Sequence, residues 1–190
     1  MDIEKIQQKI KIARDTKSGV VLKNIFPETP SWQSFINHIN FEYNKIENDY
    51  INKESDLYDE IFHNGVVFYK KRPLYLSVRL NNLNFFKEAE PVADILRKIV
   101  EDEKGCFNQV FINFAADQSK IKMHLDNRET IFWCCQGSVT WILADPEDWN
   151  KTTRYELEAG DAMFAAFGLP HTVETNSPRA GMVFSAFNKN

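Results

Sequence analysis

Isoleucines at positions 3, 6, 10 and 12, separated by charged and polar residues, open the chain at near-helical spacing and predict an amphipathic first helix. Gly19-Val20-Val21-Leu22 reads as a short strand that runs out at Asn24-Ile25-Phe26-Pro27. Thr29 before Pro30 predicts an N-cap with proline in the first turn. The helix that follows carries Trp32, Phe35, Ile36 and Ile39 on one stripe through Tyr43. Positions 44–64 are polar and poorly periodic, and are expected to form a loop with a short helix. Val66–Tyr69 and Leu74–Leu80 pattern as strands. Pro91–Glu103 repeats Val92, Ile95, Leu96 and Ile99 on one helical face, with Gly105 ending it.

Beyond residue 105 the texture changes. Strand-like runs follow one another without intervening helices: Phe107–Phe114, Lys120–Asp126, Thr130–Cys135, Ser138–Leu143, Thr153–Leu157, Ala162–Phe167, His171–Glu174 and Arg179–Phe187. Gln136-Gly137, Asp145-Pro146, Glu158-Ala159-Gly160-Asp161 and Asn176-Ser177-Pro178 mark turns between several of them. Short strands in such a series predict a jelly roll or small barrel, mostly β with flanking helices. The expected organisation is one domain over 1–190. Residues 1–105 supply helical and strand support, and 106–190 form the core.

A chain of 190 residues that is 43% hydrophobic, with 15 phenylalanines, can bury a sizeable core, which excludes global disorder. No apolar run approaches the roughly 20 residues of a spanning helix. The start, MDIEKIQQKIKIARD, lacks the apolar block of a secretory signal, so a soluble, cytoplasmic protein is expected. A net charge of −4 argues against a broad phosphate-binding surface without excluding a nucleic-acid substrate. Lys70-Lys71-Arg72 is short and reads as a solvated strand end. The adjacent Cys134 and Cys135 lack disulfide or zinc spacing; they read as small apolar fillers on a strand, with a vicinal redox pair as the sharper alternative.

The candidate chemistry begins at Lys120–Asp126. In this alternating run Ile121, Met123 and Leu125 share one face, and Lys122, His124 and Asp126 the other. His124 and Asp126 can bring an imidazole nitrogen and a carboxylate oxygen to one point. His171, delivered by the strand and turn from Gly160 to Pro170, is the candidate third ligand. Two histidines and one carboxylate form a facial set that leaves three positions on iron open. His38 and His63 read as surface or capping residues. Alone, His-x-Asp could equally be a histidine and a carboxylate paired on a polar strand face. Arg179 opens the last strand. Its guanidinium fork matches a carboxylate in two parallel hydrogen bonds, though a surface salt bridge would also account for it.

These pieces carry a resemblance. His124-Leu125-Asp126, the aromatic strand into Gln136-Gly137-Ser138-Val139-Thr140-Trp141, the run from Gly160-Asp161 to Leu169-Pro170-His171, and Arg179 resemble the catalytic core of the Fe(II)/2-oxoglutarate-dependent oxygenase superfamily. The first part is similar to its cupin-like and JmjC branch; Gly19–Tyr43 resembles the segment before the core in prolyl-hydroxylase-like members. The resemblance implies a double-stranded β-helix, iron ligands at His124, Asp126 and His171, and a 2-oxoglutarate salt bridge at Arg179. It implies an oxidation that uses O2, hydroxylating or demethylating a substrate and releasing succinate and CO2. The JmjC-like anchor position is Val139 here, which moves the anchor to Arg179. Gly181 stands where a hydrogen-bonding residue often follows that arginine, so Asn113 or Thr140 is a candidate second contact, and Lys122 a rival anchor. Asn127, Arg128 and Glu129 are substrate-contact candidates at the pocket rim. Trp133 and Trp141 read as core rather than as a substrate platform.

Two further readings stay open: a metal cupin that does not use 2-oxoglutarate, and a non-catalytic binding module on the same barrel. A peptide, protein or small-molecule substrate is favoured on charge grounds.

Overall fold

The computed structural model describes residues 2–43, 60–63, 66–69, 75–80, 88–99, 109–115, 122–175 and 177–186, with positions 38–43, 60–63, 66–69, 75–80, 109–114 and 186 as backbone alone. Helix α1 (Ile3–Asp15) starts at Asp2, whose carboxylate accepts from the Lys5 N–H and satisfies one of the orphan donors of the first turn. Strand β1 (Gly19–Leu22) follows, then α2 (Trp32–Tyr43). The cap of α2 is Ser31 rather than Thr29: the Ser31 hydroxyl accepts from Ser34 N–H, while Pro30 stays outside the helix and offers its carbonyl to the Gln136 side chain. Phe35 is buried and Ile36 is exposed, so the apolar stripe of α2 is narrower than its sequence suggests.

Three strands come next: β2 (Glu60–His63), β3 (Val66–Tyr69) and β4 (Tyr75–Leu80). The first replaces the loop expected at its position, and His63 lies on it. Residues 44–59, the basic cluster Lys70-Lys71-Arg72 and Gly105 lie outside the described residues. Helix α3 (Ala89–Ile99) buries Val92, Ala93, Leu96 and Ile99.

Seven strands complete the chain: β5 (Gln109–Ala115), β6 (Glu129–Gln136), β7 (Ser138–Ala144), β8 (Thr152–Glu158), β9 (Ala162–Ala165), β10 (His171–Glu174) and β11 (Arg179–Ala186). They form two facing sheets. The larger runs β1-β9-β6-β11-β5-β4-β3-β2 and the smaller β10-β7-β8. Residues 122–126 approach the free side of β10 through a single bridge, His124 opposite His171. From β5 onward, with residues 122–126 counted beside β10, the chain crosses between the two sheets at every step except the β7–β8 hairpin, which is the winding of a double-stranded β-helix.

The expected strand Lys120–Asp126 is thus reduced, among its described residues, to that one bridge, and Leu125 is exposed rather than packed. The expected Ala162–Phe167 strand stops at Ala165, and Phe167 is exposed in the following turn.

Two cores result. Ile131, Trp133, Cys135, Phe164, Met182 and Phe184 face the helices, packed with Ile10, Phe35 and Leu96. Phe132, Cys134, Val139, Trp141, Leu143, Leu157 and Met163 fill the space between the sheets. Strand alternation sends neighbours into different cores, so the adjacent cysteines lie in separate layers, and burial pushes the Cys134 thiol up to about 12. At the β6–β7 turn Gly137 holds φ +70°, and a side chain there would strike the Pro178 carbonyl. No helix of the described residues is long and apolar enough to cross a membrane.

Candidate metal centre

His124 and His171 are directly opposed across antiparallel chains and exchange both backbone hydrogen bonds, each 2.9 Å. Their rings lie on the same side, with centroids 4.4 Å apart. The Nδ1 of His124 contacts the Lys122 carbonyl at 2.8 Å, and that of His171 contacts the Leu169 carbonyl at 2.8 Å. A carbonyl oxygen can only accept, so each Nδ1 carries a hydrogen, and in its neutral form each ring keeps the Nε2 lone pair. Both lone-pair nitrogens meet Asp126: His124 Nε2 is 3.9 Å from one carboxylate oxygen, and His171 Nε2 is 3.7 Å from the other. Thr130 donates its hydroxyl to Asp126 at 2.9 Å.

One ligand atom from each of His124, Asp126 and His171 lies within 4.8 Å of the others, which fits a divalent cation among them. The donor set also fits chemically: two neutral imidazoles held by second partners, and one oriented carboxylate. His171 is buried; this, together with the adjacent His124 ring, pushes its pKa below the ordinary histidine value against the pull of Asp126. Trp141 stacks on it, with centroids 5.1 Å apart and planes 20° apart.

Arg179 is buried on the face of β11 that looks between the sheets. Its Nε donates to the Thr175 hydroxyl at 2.9 Å, and its guanidinium lies 5.2 Å from the centroid of the Phe132 ring. Gly181, two residues on, faces the same ring.

The other sequence candidates fare differently. Lys122 is exposed, and its carbonyl contacts Nδ1 of His124. Thr140 alternates with Val139 and Trp141, so it occupies the outer face of β7 and is removed from the inter-sheet space where a cosubstrate contact was expected. Asn113 stands opposite Gly181 in register; its side chain lies outside the described residues. Asn127 is exposed and accepts from Arg128 Nε at 3.2 Å, in the bend directly after Asp126. Glu129 is not at a rim. It points to the helix layer, buried, and takes both oxygens to Arg14 at 2.7 and 2.8 Å. Thr130, Trp141, Phe132 and Thr175 were not singled out for these contacts by sequence; only the parity of Thr130 with Phe132 on β6 hinted that it faces Asp126.

No family model matches the chain, and no curated protein matches it. Solved structures do. The YcfD ribosomal oxygenase from Escherichia coli superposes with a TM-score of 0.60 at 17% identity, over 92% of this chain and 49% of that one. The same protein in complex with cobalt and 2-oxoglutarate gives 0.58 at 17% identity, over 96% and 52%. Its complex with cobalt and succinic acid gives 0.59 at 17%, over 96% and 52%. This chain spans about half the length of these structures, and what they share with it is the double-stranded β-helix.

Proposed function

We propose that the chain is an Fe(II)- and 2-oxoglutarate-dependent oxygenase, with His124, Asp126 and His171 as metal ligands and Arg179 binding the distal carboxylate of the cosubstrate. The observation that carries this reading is the paired Nδ1–H to carbonyl bonds, which leave two Nε2 lone pairs turned to one carboxylate. The cobalt and 2-oxoglutarate bound by YcfD on the same fold support it.

When bound, iron with 2-oxoglutarate and O2 supplies the oxidation: the keto acid leaves as succinate and CO2, and a substrate C–H bond becomes C–OH. The protein's own residues do the rest. The Lys122 and Leu169 carbonyls fix both imidazoles in the ligating tautomer. Thr130 fixes the carboxylate. One carboxylate and two neutral rings leave a divalent ion a net positive charge, which favours a chelating anionic keto acid. Arg179, already out of water, loses little solvation on binding a second carboxylate and gains a strong charge-assisted bond. Asn127 and Arg128, following the Asp126 ligand, are proposed substrate contacts.

The test is succinate release from 2-oxoglutarate by protein loaded with Fe(II) and ascorbate, alongside thermal stabilisation by Mn(II) and then by 2-oxoglutarate. His124→Ala and His171→Gln should lose both metal stabilisation and succinate; Arg179→Met should keep the first and lose the second. Metal stabilisation without any 2-oxoglutarate effect would transfer the site to a cupin enzyme of another chemistry. No metal effect at all would end the enzymatic reading.

A further inference from the structure

Buried N–H donors in folded proteins almost always find an acceptor. Among the described residues the indole Nε1 of Trp141 has none, although the residue is only 4% exposed. The Trp133 indole shares that condition, but it lies in the helix-facing core, edge-on to Phe26 at 5.7 Å and remote in layer from the metal centre. Trp141 is placed otherwise. Its ring stacks on His171 at 5.1 Å and meets Phe132 at 5.7 Å, and Phe132 lies 5.2 Å from the Arg179 guanidinium. Among the described residues, Trp141 and Phe132 thus form a continuous run of aromatic contacts between a metal ligand and the proposed anchor. Phenylalanine offers no donor; tryptophan offers one.

A trapped water is a poor partner for that donor. A buried water needs two to four polar neighbours, and the hydrophobic side chains clustered with Trp141 between the sheets, among them Phe132, Val139, Leu143, Leu157 and Met163, supply none. An acceptor fixed at its other atoms has no such need.

Resting on the oxygenase reading, we propose that Trp141 Nε1–H donates a hydrogen bond to a carboxylate oxygen of the bound keto-diacid cosubstrate. The diacid is held at one end by the metal and at the other by Arg179, and it carries its own oxygens into the apolar space. A carboxylate is the strongest common acceptor for a neutral N–H, and a dry surrounding strengthens that bond. Trp141 would then act twice, packing the ligand His171 through its face and binding the cosubstrate through its edge.

The experiment follows the indole directly. Protein labelled with 15N and loaded with Zn(II) gives indole N–H signals, and Trp141→Phe identifies the one from Trp141. Adding 2-oxoglutarate should move that signal downfield and slow its exchange with water, with Zn(II) alone leaving it in place. Calorimetry should show 2-oxoglutarate binding Trp141→Phe at least about tenfold more weakly, the ratio expected for a bond to a charged acceptor. Zn(II) affinity should hold within about twofold, because the stack on His171 survives in Phe. Equal 2-oxoglutarate affinity, or an indole signal that responds to Zn(II) and not to 2-oxoglutarate, overturns the proposal and leaves the oxygenase reading standing. Wild-type protein that binds Zn(II) but no 2-oxoglutarate overturns both. Should Trp141→Phe misfold, the wild-type indole response alone decides, with the signal assigned by elimination from Trp133→Phe, Trp32→Phe and Trp149→Phe.

Discussion

Replacing Gly181 by alanine should disrupt the inter-sheet core at a crowded point. A Cβ built on Gly181 falls 2.5 Å from both Cε2 and Cζ of Phe132 and 2.7 Å from the Trp133 carbonyl oxygen. Carbon contacts are comfortable at about 3.5–4.0 Å, so roughly an ångström of movement is demanded of each neighbour. Neither can supply it cheaply. Trp133 pairs with Met182 across β6 and β11, and Phe132 is bounded by Trp141 at 5.7 Å and Arg179 at 5.2 Å. Overpacking of this kind costs about 1–3 kcal/mol, and contact with backbone puts the site at or above the upper end. The φ of Gly181 is not left-handed, so alanine also restricts the unfolded chain and returns about 0.4–1 kcal/mol. A net loss of about 2–3 kcal/mol follows, or roughly 5–10 °C in Tm for a chain of this size. Phe132→Leu removes Cε2 and Cζ. Combined with Gly181→Ala it should recover about 1–2 kcal/mol relative to additivity and not the whole, since the Trp133 carbonyl stays. Urea unfolding of the four proteins with a common m-value measures this. Gly181→Ala within about 0.5 kcal/mol of wild type, or strict additivity with Phe132→Leu, would refute the packing argument.

Three further outcomes are expected. Arg14→Met strands the buried Glu129 carboxylate; the loss of a buried partner is worth about 3–5 kcal/mol, reduced to about 2–3 here because Arg14 is 30% exposed, and Glu129→Leu added to it should restore most of the loss in urea unfolding. Burial would raise the Asp161 carboxyl's pKa, but the N–H groups of Glu158 and Asn24 and the Lys23 ammonium more than offset it, so it lies below the ordinary aspartate value when folded. Its contribution is therefore full above about pH 4 and is lost as pH falls through the folded value. Asp161→Asn should cost about 2 kcal/mol at pH 7, and the two proteins should converge in acid. Thr130→Val removes the donor on Asp126 and should lower Mn(II) affinity about tenfold with little change in Tm; unchanged affinity would make Thr130 a packing residue only.

The strands from β6 to β11 were legible because they are short, mostly apolar (the exposed β8 is the exception) and separated in several places by turn residues whose geometry is local, as at Gly137. What escaped was parity and partnership. Glu129 was grouped with Asn127 and Arg128 as a rim residue by adjacency. On β6, however, Thr130 faces Asp126, so Glu129 must face the helices, where Arg14 waits 115 positions away in sequence. Thr140 failed for the same reason beside Trp141. The alternation of Lys120–Asp126 suggested a full strand with a covered apolar face, but Leu125 is 51% exposed and a single bridge does the placing. Alternation reports which residues share a face; it does not report whether anything lies against that face. The candidate triad survived this error because it needs only the faces of His124, Asp126 and His171 to agree.

That agreement depends on register. Slipping β10 by one residue against residues 122–126 would set Pro170 or Thr172 opposite His124 and turn the His171 ring out of the inter-sheet space. A four-residue strand has little pairing of its own to resist such a slip. Resistance comes from both flanks: β7 pairs His171 with Leu143 and closes the turn through Ala144 N–H to the Pro170 carbonyl, and the Gly168 N–H reaches the Asp126 carbonyl on the other side. The Gly168–His171 turn is thereby tied at once to the strand that carries Trp141 and to the segment that carries the other two candidate ligands. The geometry of the triad is thus set mainly by backbone bonds, which side-chain substitution leaves in place, so ligand variants such as His171→Gln should lose metal while keeping the barrel folded.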